Sequence, residues 1–328
     1  MNRMEIVKTH TGKIYVDREN RLEFLTVGDY GKENNIKANF LGLTKEINGV
    51  QNTSVNLEEK WVATISTQRG CPMKCRFCDC PKYGYYGNVS SNELGYQIIT
   101  ILNGEDTKHT KRFNVHFARM GEPTWNDNVL IFAHDWLKPI VNSYIKADTI
   151  HPVVSTMLPK GNKILEWFII RWCSSIKNTV YQGEAGLQFS INSTSNAERD
   201  YQFNGQSLSL EEISVLSEKL PIPLGRKYTL NFAVTKDTTL DAKRLSNLFD
   251  KEKFIVKITP IHKTVSAVKN GFDVTTEYTD FNVYRKFEEP LLEQGWDVIV
   301  FVPSIEEDSD RITCGNALIA NRSESPNS

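Results

Sequence analysis

Short apolar runs of β-type composition recur along the chain, and longer amphipathic stretches separate them. The runs lie at 61–67, 114–120, 151–156, 186–192, 228–235, 254–261 and 296–303. The stretches between them space their apolar residues three or four positions apart, which predicts helices. A strand followed by a helix, repeated about six times, is typical of a parallel sheet with right-handed crossovers. The pattern therefore predicts an α/β fold.

The first sixty residues follow a different pattern. GKIYV and RLEFLTV flank the turn-like VDREN, an arrangement typical of a β-hairpin. We therefore divide the chain into a small β-rich N-terminal extension at 1–60, a strand–helix domain at 61–320 and a disordered tail at 321–328. The polar composition of NRSESPNS is the basis for the tail.

Composition limits the function classes. Lys and Arg number 39 against 40 Asp and Glu, a net charge of −1, which is not the excess expected of a protein that holds nucleic acid mainly through phosphates. The N-terminus MNRMEIVKTH lacks the apolar core of a secretory signal, and no apolar run reaches membrane-span length. The lack of such a run predicts no membrane partner, and six cysteines without a pairing pattern predict a reducing compartment, the cytoplasm.

A three-cysteine loop carries the strongest chemical signal. Cys71, Cys75 and Cys78 are spaced C-x3-C-x2-C, directly after the run at 61–67. Iron–sulfur clusters are held by cysteine thiolates, and three thiolates on a four-iron cluster leave one iron open. The carboxyl ends of parallel strands form the edge at which α/β sites are built. The spacing therefore predicts a reactive [4Fe-4S] cluster at that edge.

The same cysteines allow other interpretations. Cys80 follows closely, so the four thiols Cys71, Cys75, Cys78 and Cys80 have the composition of a tetrahedral zinc site. Cys80 is alternatively a fourth cluster ligand. A disulfide is the third possibility, which a reducing compartment disfavours.

Three further segments are candidates for the site. Gly121 and Glu122 in MGEPTWN offer a tight turn and a carboxylate after the second run, although a solvated turn has the same composition. Ser190 and Asn192 project the same way if 186–192 is a strand, and a Ser/Asn-rich loop cap is the alternative. Cys314 follows the last run and precedes a glycine. It is either an inert small residue or a nucleophile.

The loop resembles the signature of radical S-adenosylmethionine (SAM) enzymes, in which SAM chelates the open iron. RGC-x3-C-x2-C, the MGEP turn, S-x-N and the late D-x-x-C-G segment, here 310–315 with one extra residue, resemble the RlmN/Cfr family of adenine C-methyl synthases. The resemblance covers about 61–320. It implies a partial (β/α)6 radical SAM barrel, a [4Fe-4S] cluster and SAM as cofactors.

The resemblance also implies roles for individual residues. Cys71, Cys75 and Cys78 correspond to the cluster ligands, and Cys314 to the cysteine that carries a methyl group. One SAM molecule methylates Cys314 by direct displacement. A second SAM molecule then yields a radical that removes hydrogen from this methyl group. The residues placed near SAM are Phe77, Gly121, Glu122, Ser190, Asn192 and His262.

The chain departs from the family at several positions. The family has His where Asn192 stands and Asn where His262 stands. It has a resolving cysteine where this chain has Thr64, so Cys80 or Cys173 would have to substitute. The N-terminal extension does not resemble the helical RNA-binding domain of the family.

The predicted function is therefore methylation of an sp2 carbon, in adenine of RNA or of a nucleotide, through a methylated Cys314. A reductant such as flavodoxin or ferredoxin is the implied electron donor. One alternative keeps radical SAM chemistry but acts on a small molecule or peptide, with Cys314 in another role. The other is a zinc-containing binding module without catalysis.

Overall fold

The computed structural model describes residues 4–27, 35–41, 56–274, 282–303 and 305–321. Residues 322–328 of the predicted tail lie outside this part of the chain. Among the described residues, no helix combines the length and apolar character needed to cross a lipid bilayer.

The described residues form strands, helices and a few tighter or wider turns. The strands are β1 (Met4–Lys8), β2 (Gly12–Asp17), β3 (Leu22–Val27), β4 (Asn35–Lys37), β5 (Trp61–Ile65), β6 (Gln68–Gly70), β7 (Tyr85–Asn88), β8 (His109–Phe117), β9 (Lys146–Thr156), β10 (Gly186–Ser190), β11 (Tyr228–Val234), β12 (Phe254–Pro260) and β13 (Val298–Val302). The helices are α1 (Ser91–Asn103), α2 (Asn128–Ile131), α3 (Leu137–Tyr144), α4 (Leu165–Arg171), α5 (Asn196–Gln202), α6 (Leu210–Glu218), α7 (Ala242–Leu248), α8 (Val265–Lys269), α9 (Asn282–Glu293) and α10 (Ile305–Ser309). Short 3-10 turns lie at Asn39–Leu41, Cys80–Tyr83 and Pro123–Trp125, and π-helical segments at Phe132–Trp136 and Trp172–Val180.

One sheet holds most of the strands. Within the described chain its order is β1-β2-β3-β5-β8-β9-β10-β11-β12-β13-β4. All pairs from β5 to β13 are parallel, and the pairs at both ends are antiparallel. The predicted α/β fold with a mainly parallel sheet is confirmed, and the described strands form an open sheet and not a closed barrel.

Each parallel strand presents its apolar side chains to one face. Along β8, Phe113, Val115 and Phe117 belong to the main core under the helices, whereas Asn114 and His116 point to the other face because side chains alternate. The parallel strands follow chain order, so right-handed crossovers place their helices on the same side. The opposite face, called the inner face below, is left for polar side chains.

Helix α1 begins with a capping box. The Ser90 side chain accepts from the backbone N–H of Glu93, and the Glu93 carboxylate accepts from the backbone N–H of Ser90 at 3.0 Å. This reciprocal arrangement satisfies two amide groups that a helix start leaves unpaired. The residues Ser90 and Glu93 therefore fix where the helix starts.

Two strands are longer than their apolar runs. β8 begins at His109 instead of 114, and β9 begins at Lys146 instead of 151, because the two strands pair from His109 opposite Lys146 onward. Their first residues are mostly polar and partly exposed. Hydrophobic patterning therefore misses them, while backbone hydrogen bonding includes them.

The N-terminal hairpin joins the main sheet. β3 pairs with β5 through Leu25 opposite Thr64, so β1 to β3 continue the parallel strands in antiparallel orientation. Tyr15 and Phe24 pack into the main core on the helix side. On the inner face, Ile14 and Leu25 pack with residues of the segment 312–320. The N-terminal strands thus form a support for the C-terminal segment.

Candidate active site

The three-cysteine loop connects β6 and β7, which pair with each other as a separate two-stranded sheet. The backbone N–H of Cys71 donates to the carbonyl of Gly84 at 3.0 Å, and that of Cys78 donates to the carbonyl of Cys75 at 3.2 Å. Gly70 has a φ of +74°, and a Cβ on it would lie 1.8 Å from the Gly84 carbonyl oxygen. Only glycine fits this close approach, so Gly70 is required directly before Cys71, at the start of the loop.

The three thiols share one environment. Cys71, Cys75 and Cys78 are each half-buried and keep some accessible surface. Burial raises the pKa of the Cys71 and Cys75 thiols, and negative charge on neighbouring cysteines raises each further. For Cys78, a hydrogen bond with Cys80 lowers the pKa, but burial raises it overall. Because thiolates are the form that binds iron, a cluster would have to displace these protons.

The three thiols lie near one another, since the charge of Cys71 acts on both Cys75 and Cys78. A cubane cluster binds each of its thiolate ligands through a different iron. Three neighbouring thiols on one loop are therefore a donor set that such a cluster can use. Together with Cys80, the same thiols also have the composition of a four-thiolate zinc site. Among the described residues, no group of three or more His, Cys, Asp or Glu side chains is arranged to hold a metal ion.

The other two candidate thiols lie in apolar surroundings. Cys80 is 3% exposed, and its thiol donates to the carbonyl oxygen of Arg119 at 3.3 Å. Cys173 is fully buried in the main core, where burial raises the pKa of its thiol to about 12. All six cysteines are free thiols. Thr64, on β5, has its side chain on the inner face, since Ala63 and Ile65 belong to the main core.

Gly121 and Glu122 lie beside the cysteine loop. Gly121 has a φ of +98°, and a Cβ there would lie 2.6 Å from Cβ of Gln68. The buried Glu122 carboxylate accepts from Thr124 Oγ1 at 2.8 Å and from the backbone N–H of Met157 at 3.0 Å. Burial raises the pKa of Glu122. Its charge also acts on the Cys71 and Cys75 thiols, so the turn and the loop are close in space.

Phe77 lies within the three-cysteine loop, directly before Cys78. It belongs to a small apolar cluster with Met73, Met157 and Phe203, together with Cys71 and Cys75. Its ring meets that of Phe203 edge-on, with centroids 5.7 Å apart.

Ser190 and Asn192 do not share a strand, which corrects the prediction. β10 ends at Ser190, and Asn192 lies beyond it with a φ of +61°. The Asn192 side chain is 1% exposed, and its Oδ1 accepts from the backbone N–H of Ala233 at 3.1 Å. The strand alternation therefore stops before Asn192. Only Ser190, half-buried on the inner face, has the predicted orientation.

The C-terminal segment brings Cys314 to the cysteine loop. The backbone N–H of Asp79 donates to the carbonyl of Gly315 at 2.8 Å, and a Cβ on Gly315 would lie 3.6 Å from Sγ of Cys78. Cys314 itself is exposed. The pKa of the Cys314 thiol is nevertheless raised overall, because the surrounding protein displaces water and Cys80 adds negative charge, while Arg119 and Lys257 offset part of the effect. The structure thus places Cys314 against the predicted cluster ligands.

A buried ion pair holds this segment. Arg119 donates to Glu23 Oε1 through Nε at 2.8 Å, and to the carbonyls of Arg311 and Thr313 at 2.9 and 3.3 Å. Glu23 in turn accepts from the backbone N–H of Ile319 at 2.6 Å. Both charged side chains are buried. The pair therefore links the N-terminal hairpin, the end of β8 and the Cys314 segment, and the sequence analysis did not find it.

His262 anchors the same segment from the other side. Its Nδ1 lies 3.0 Å from Oδ1 of Asp308, and the backbone N–H of Lys263 donates to Asp308 Oδ2 at 3.2 Å. Asp308 Oδ1 also accepts from Thr313 Oγ1 at 2.6 Å. The loop after β12 is thereby connected to the residue before Cys314.

Glu23→Gln is expected to lower the free energy of unfolding by about 3–5 kcal/mol, because it leaves the buried Arg119 guanidinium without its counter-charge. Urea denaturation measures the loss, and hydrogen exchange should show faster exchange of the backbone amides at 318–319. Glu252→Gln, at an exposed turn, is the matched control and should change neither. Unchanged exchange at 318–319 would contradict the clamping role of Glu23.

Comparison with known proteins identifies the kind of molecule. No protein-family model matches the chain. Over 265 residues the chain is 26% identical to a protein of Pseudothermotoga lettingae named "Probable dual-specificity RNA methyltransferase RlmN", covering 79% of this chain and 69% of that protein. A protein of the same name from Thermotoga petrophila is 27% identical over 241 residues, covering 70% of this chain and 63% of that protein. The chain is an RlmN-like protein.

A solved structure supports the fold. A radical SAM methyltransferase from Sphaerobacter thermophilus superimposes with a TM-score of 0.57 at 15% identity, covering 90% of this chain and 75% of that one. The predicted family resemblance, the α/β fold and the assignment as an enzyme are therefore confirmed. The chain spans 69% and 63% of the two curated relatives, about two thirds of their length. The RNA methylation in their names is therefore a property of those proteins.

Proposed function

We propose that the chain is a radical SAM methyltransferase that carries a methyl group on Cys314 and delivers it to an sp2 carbon of adenine, in RNA or in a nucleotide. The contact between Gly315 and Cys78 is the observation that carries this proposal, because it puts an exposed thiol beside the three-cysteine loop. The names of the RlmN relatives support both methyl transfer and an RNA or nucleotide acceptor.

Cys71, Cys75 and Cys78 would hold a [4Fe-4S] cluster, and SAM would be the cosubstrate. When bound, this pair supplies reductive SAM cleavage and hence a radical able to remove hydrogen from a methyl group. Glu122 lies close enough to Cys71 and Cys75 to accept hydrogen bonds from a SAM amino group, with Gly121 keeping the backbone turn open. Internal hydrogen bonds from Thr124 and Met157 already fix the Glu122 carboxylate, which favours preorganised binding.

Other side chains would position and shield the reaction. Phe77 covers one side of the loop and excludes water there. Ser190 has a hydroxyl on the inner face suited to a ribose or carboxylate. The Asn192 side chain is already hydrogen-bonded to Ala233, so a contact with SAM would require this side chain to shift. His262 Nδ1 lies 3.0 Å from Asp308 Oδ1 without a hydrogen bond, so His262 has a polar atom to offer.

Cys314 must act as a thiolate to accept a methyl group. The guanidinium of Arg119 and the ammonium of Lys257 favour that form, against the burial that raises the thiol pKa. Arg119 also donates to the carbonyls of Thr313 and Asn316, which lie on either side of Cys314. It therefore fixes the position of the thiol as well as its charge.

Thr64 favours a second candidate function. It provides no thiol where the family has its resolving cysteine, Cys80 lies in an apolar cluster, and Cys173 lies in the main core. A radical SAM enzyme that acts on a small molecule or peptide, with Cys314 in another role, would need no such thiol.

We also propose a reductant such as flavodoxin or ferredoxin as partner. The cytoplasm is the proposed compartment, since six free thiols suit a reducing environment.

The test is anaerobic reconstitution with iron and sulfide, followed by incubation with SAM labelled on its methyl group. We expect the label first on Cys314, detected by mass spectrometry, and then in an RNA or nucleotide fraction. Label that reaches peptides or other small molecules without appearing on Cys314 would favour the second candidate. A colourless zinc protein that does not cleave SAM would contradict both.

A further inference from the structure

The Cys314 side chain is an exposed point on a well-packed segment. Ile312, Ala317 and Ile319 belong to an apolar cluster on the inner face, whereas Cys314 itself is exposed. Packing therefore holds the segment on either side of Cys314 but not the thiol. A thiol that has to meet a methyl group needs a fixed position, because a misplacement of about 1 Å costs on the order of a hundredfold in rate. The position of the thiol therefore depends on the polar contacts of its neighbours.

A short turn carries Cys314. The backbone N–H of Asn316 donates to the carbonyl of Thr313 at 3.3 Å, so Cys314 and Gly315 form the corner of a β-turn. The guanidinium of Arg119 donates to the carbonyls of both Thr313 and Asn316, each at 3.3 Å. Arg119 is therefore one partner that holds both ends of the turn, through backbone atoms.

Asp308 is a second partner of the same turn. Its Oδ1 accepts from the Thr313 hydroxyl at 2.6 Å, a length typical of a hydrogen bond to a charged acceptor. Its backbone carbonyl accepts from the side-chain amide of Asn316 at 3.1 Å. The carboxylate also accepts from the backbone N–H of Lys263 at 3.2 Å and lies 3.0 Å from His262 Nδ1. Asp308 thus connects the Cys314 turn to the loop after β12.

The two partners differ in what their loss would disturb. Arg119 belongs to the buried ion pair described above, so its removal would disturb the fold as well as the turn. The Thr313 hydroxyl makes one hydrogen bond, which valine cannot form although it has the same branched shape. Thr11 makes a comparable bond at the start of the segment, since its hydroxyl donates to Asp310 Oδ2 at 2.7 Å. Within the described residues, neither Thr11 nor Asp310 hydrogen-bonds to residues 313–316, so the Thr11 bond is a matched control.

We propose that Thr313 and Asp308 are positioning residues for the methylation of Cys314, and that their hydrogen bond holds the turn so that the thiolate meets the methyl group of SAM. This inference rests on the proposed function. In the step, the thiol proton passes to solvent and the sulfur of Cys314 forms a bond to the methyl carbon. The bond between that carbon and the sulfonium sulfur breaks, and S-adenosylhomocysteine leaves with the electron pair. Thr313 and Asp308 exchange no proton or electron in it and act through geometry alone.

The test compares Thr313→Val with the unmodified protein in two measurements. Hydrogen exchange without added SAM should show faster exchange of the backbone amides at 314–316 in the variant, because the turn loses one of its contacts. After anaerobic reconstitution, both proteins are incubated with a strong reductant and with SAM labelled on its methyl group. Label on Cys314 and released 5′-deoxyadenosine are quantified in the same sample. We expect the ratio of label to 5′-deoxyadenosine to fall at least about tenfold in Thr313→Val, since only methyl transfer needs the thiol in place.

Two further variants separate positioning from general stability. Thr313→Ser keeps a hydroxyl at the same position and should restore the ratio. Thr11→Val removes the matched bond to Asp310 and should lower the melting temperature while leaving the ratio unchanged. Circular dichroism melts and iron content confirm that each variant is folded and loaded. If Thr313→Val does not fold, Thr313→Ala, which also lacks the hydroxyl, takes its place beside Thr313→Ser.

Two outcomes would overturn the inference while leaving the proposed function intact. In the first, the unmodified protein carries label on Cys314 and the variant without the Thr313 hydroxyl has the same ratio. In the second, Thr11→Val lowers the ratio as much as Thr313→Val does, which would make the whole segment responsible and not the turn. Absence of label on Cys314 in the unmodified protein, with SAM cleavage intact, would instead reject the proposed function and the inference together.

Discussion

Cys75→Ala is expected to yield a folded protein without the brown absorbance of an iron–sulfur cluster and without release of 5′-deoxyadenosine from SAM. Cys75 is the middle thiol of the loop, and its removal leaves two thiolates where a site-differentiated cubane needs three. Bound iron should fall from about four per chain to background after anaerobic reconstitution. Iron and sulfide analysis, with SAM cleavage under a strong reductant, measures both effects.

Cys80→Ala is the matched control because Cys80 is also a cysteine of this region. Its thiol donates to the Arg119 carbonyl within an apolar cluster, so its loss should leave iron content and SAM cleavage largely unchanged. If Cys80→Ala removes the metal as completely as Cys75→Ala, the site is a four-thiolate one and the open-iron interpretation is wrong.

The order of strands and helices is predictable from the sequence because local signals encode it. Apolar runs mark the buried centres of the strands, and Ser90 with Glu93 marks the start of α1. The ends of β8 and β9 are not predictable in this way. Their first residues are mostly polar and give no apolar pattern. They form strands because they pair with each other, His109 opposite Lys146, and that pairing joins positions 37 residues apart in the sequence.

The candidate site was predictable only where one short segment carries it. The three-cysteine spacing and the Gly121–Glu122 turn are local, and the structure places them together. Asn192 was assigned the wrong orientation, because a positive φ after β10 ends the alternation that the sequence suggested. The ion pair of Glu23 and Arg119 was missed because its two members lie 96 residues apart in the sequence. The sequence offers one signal for it, which is the carboxylate of Glu23 within the apolar run RLEFLTV.

The N-terminal extension shows how such long-range relations affect function. From the sequence it is a separate β-rich unit, yet β1 to β3 continue the main sheet and their inner face supports the segment 312–320. The position of Cys314 therefore depends on residues at both ends of the chain. Local patterns do not contain that dependence.

Cys314→Ala is expected to retain the cluster and SAM cleavage while lowering methylated product by at least about a hundredfold, since one required thiolate is lost from the transfer step. Cys314 belongs to a different segment from the proposed cluster ligands and is not one of the three loop thiols, so iron binding should survive. Anaerobic assays that quantify 5′-deoxyadenosine and labelled product in the same sample measure the two effects separately.

Cys173→Ala is the control that separates this effect from loss of any thiol. Cys173 is fully buried in the main core, and burial raises the pKa of its thiol to about 12, so it is inert at neutral pH. Its removal should lower stability slightly and leave product formation per folded molecule unchanged. Product formation by Cys314→Ala at the level of the unmodified enzyme would exclude the methyl-carrier role and would leave Cys314 as a structural residue of its segment.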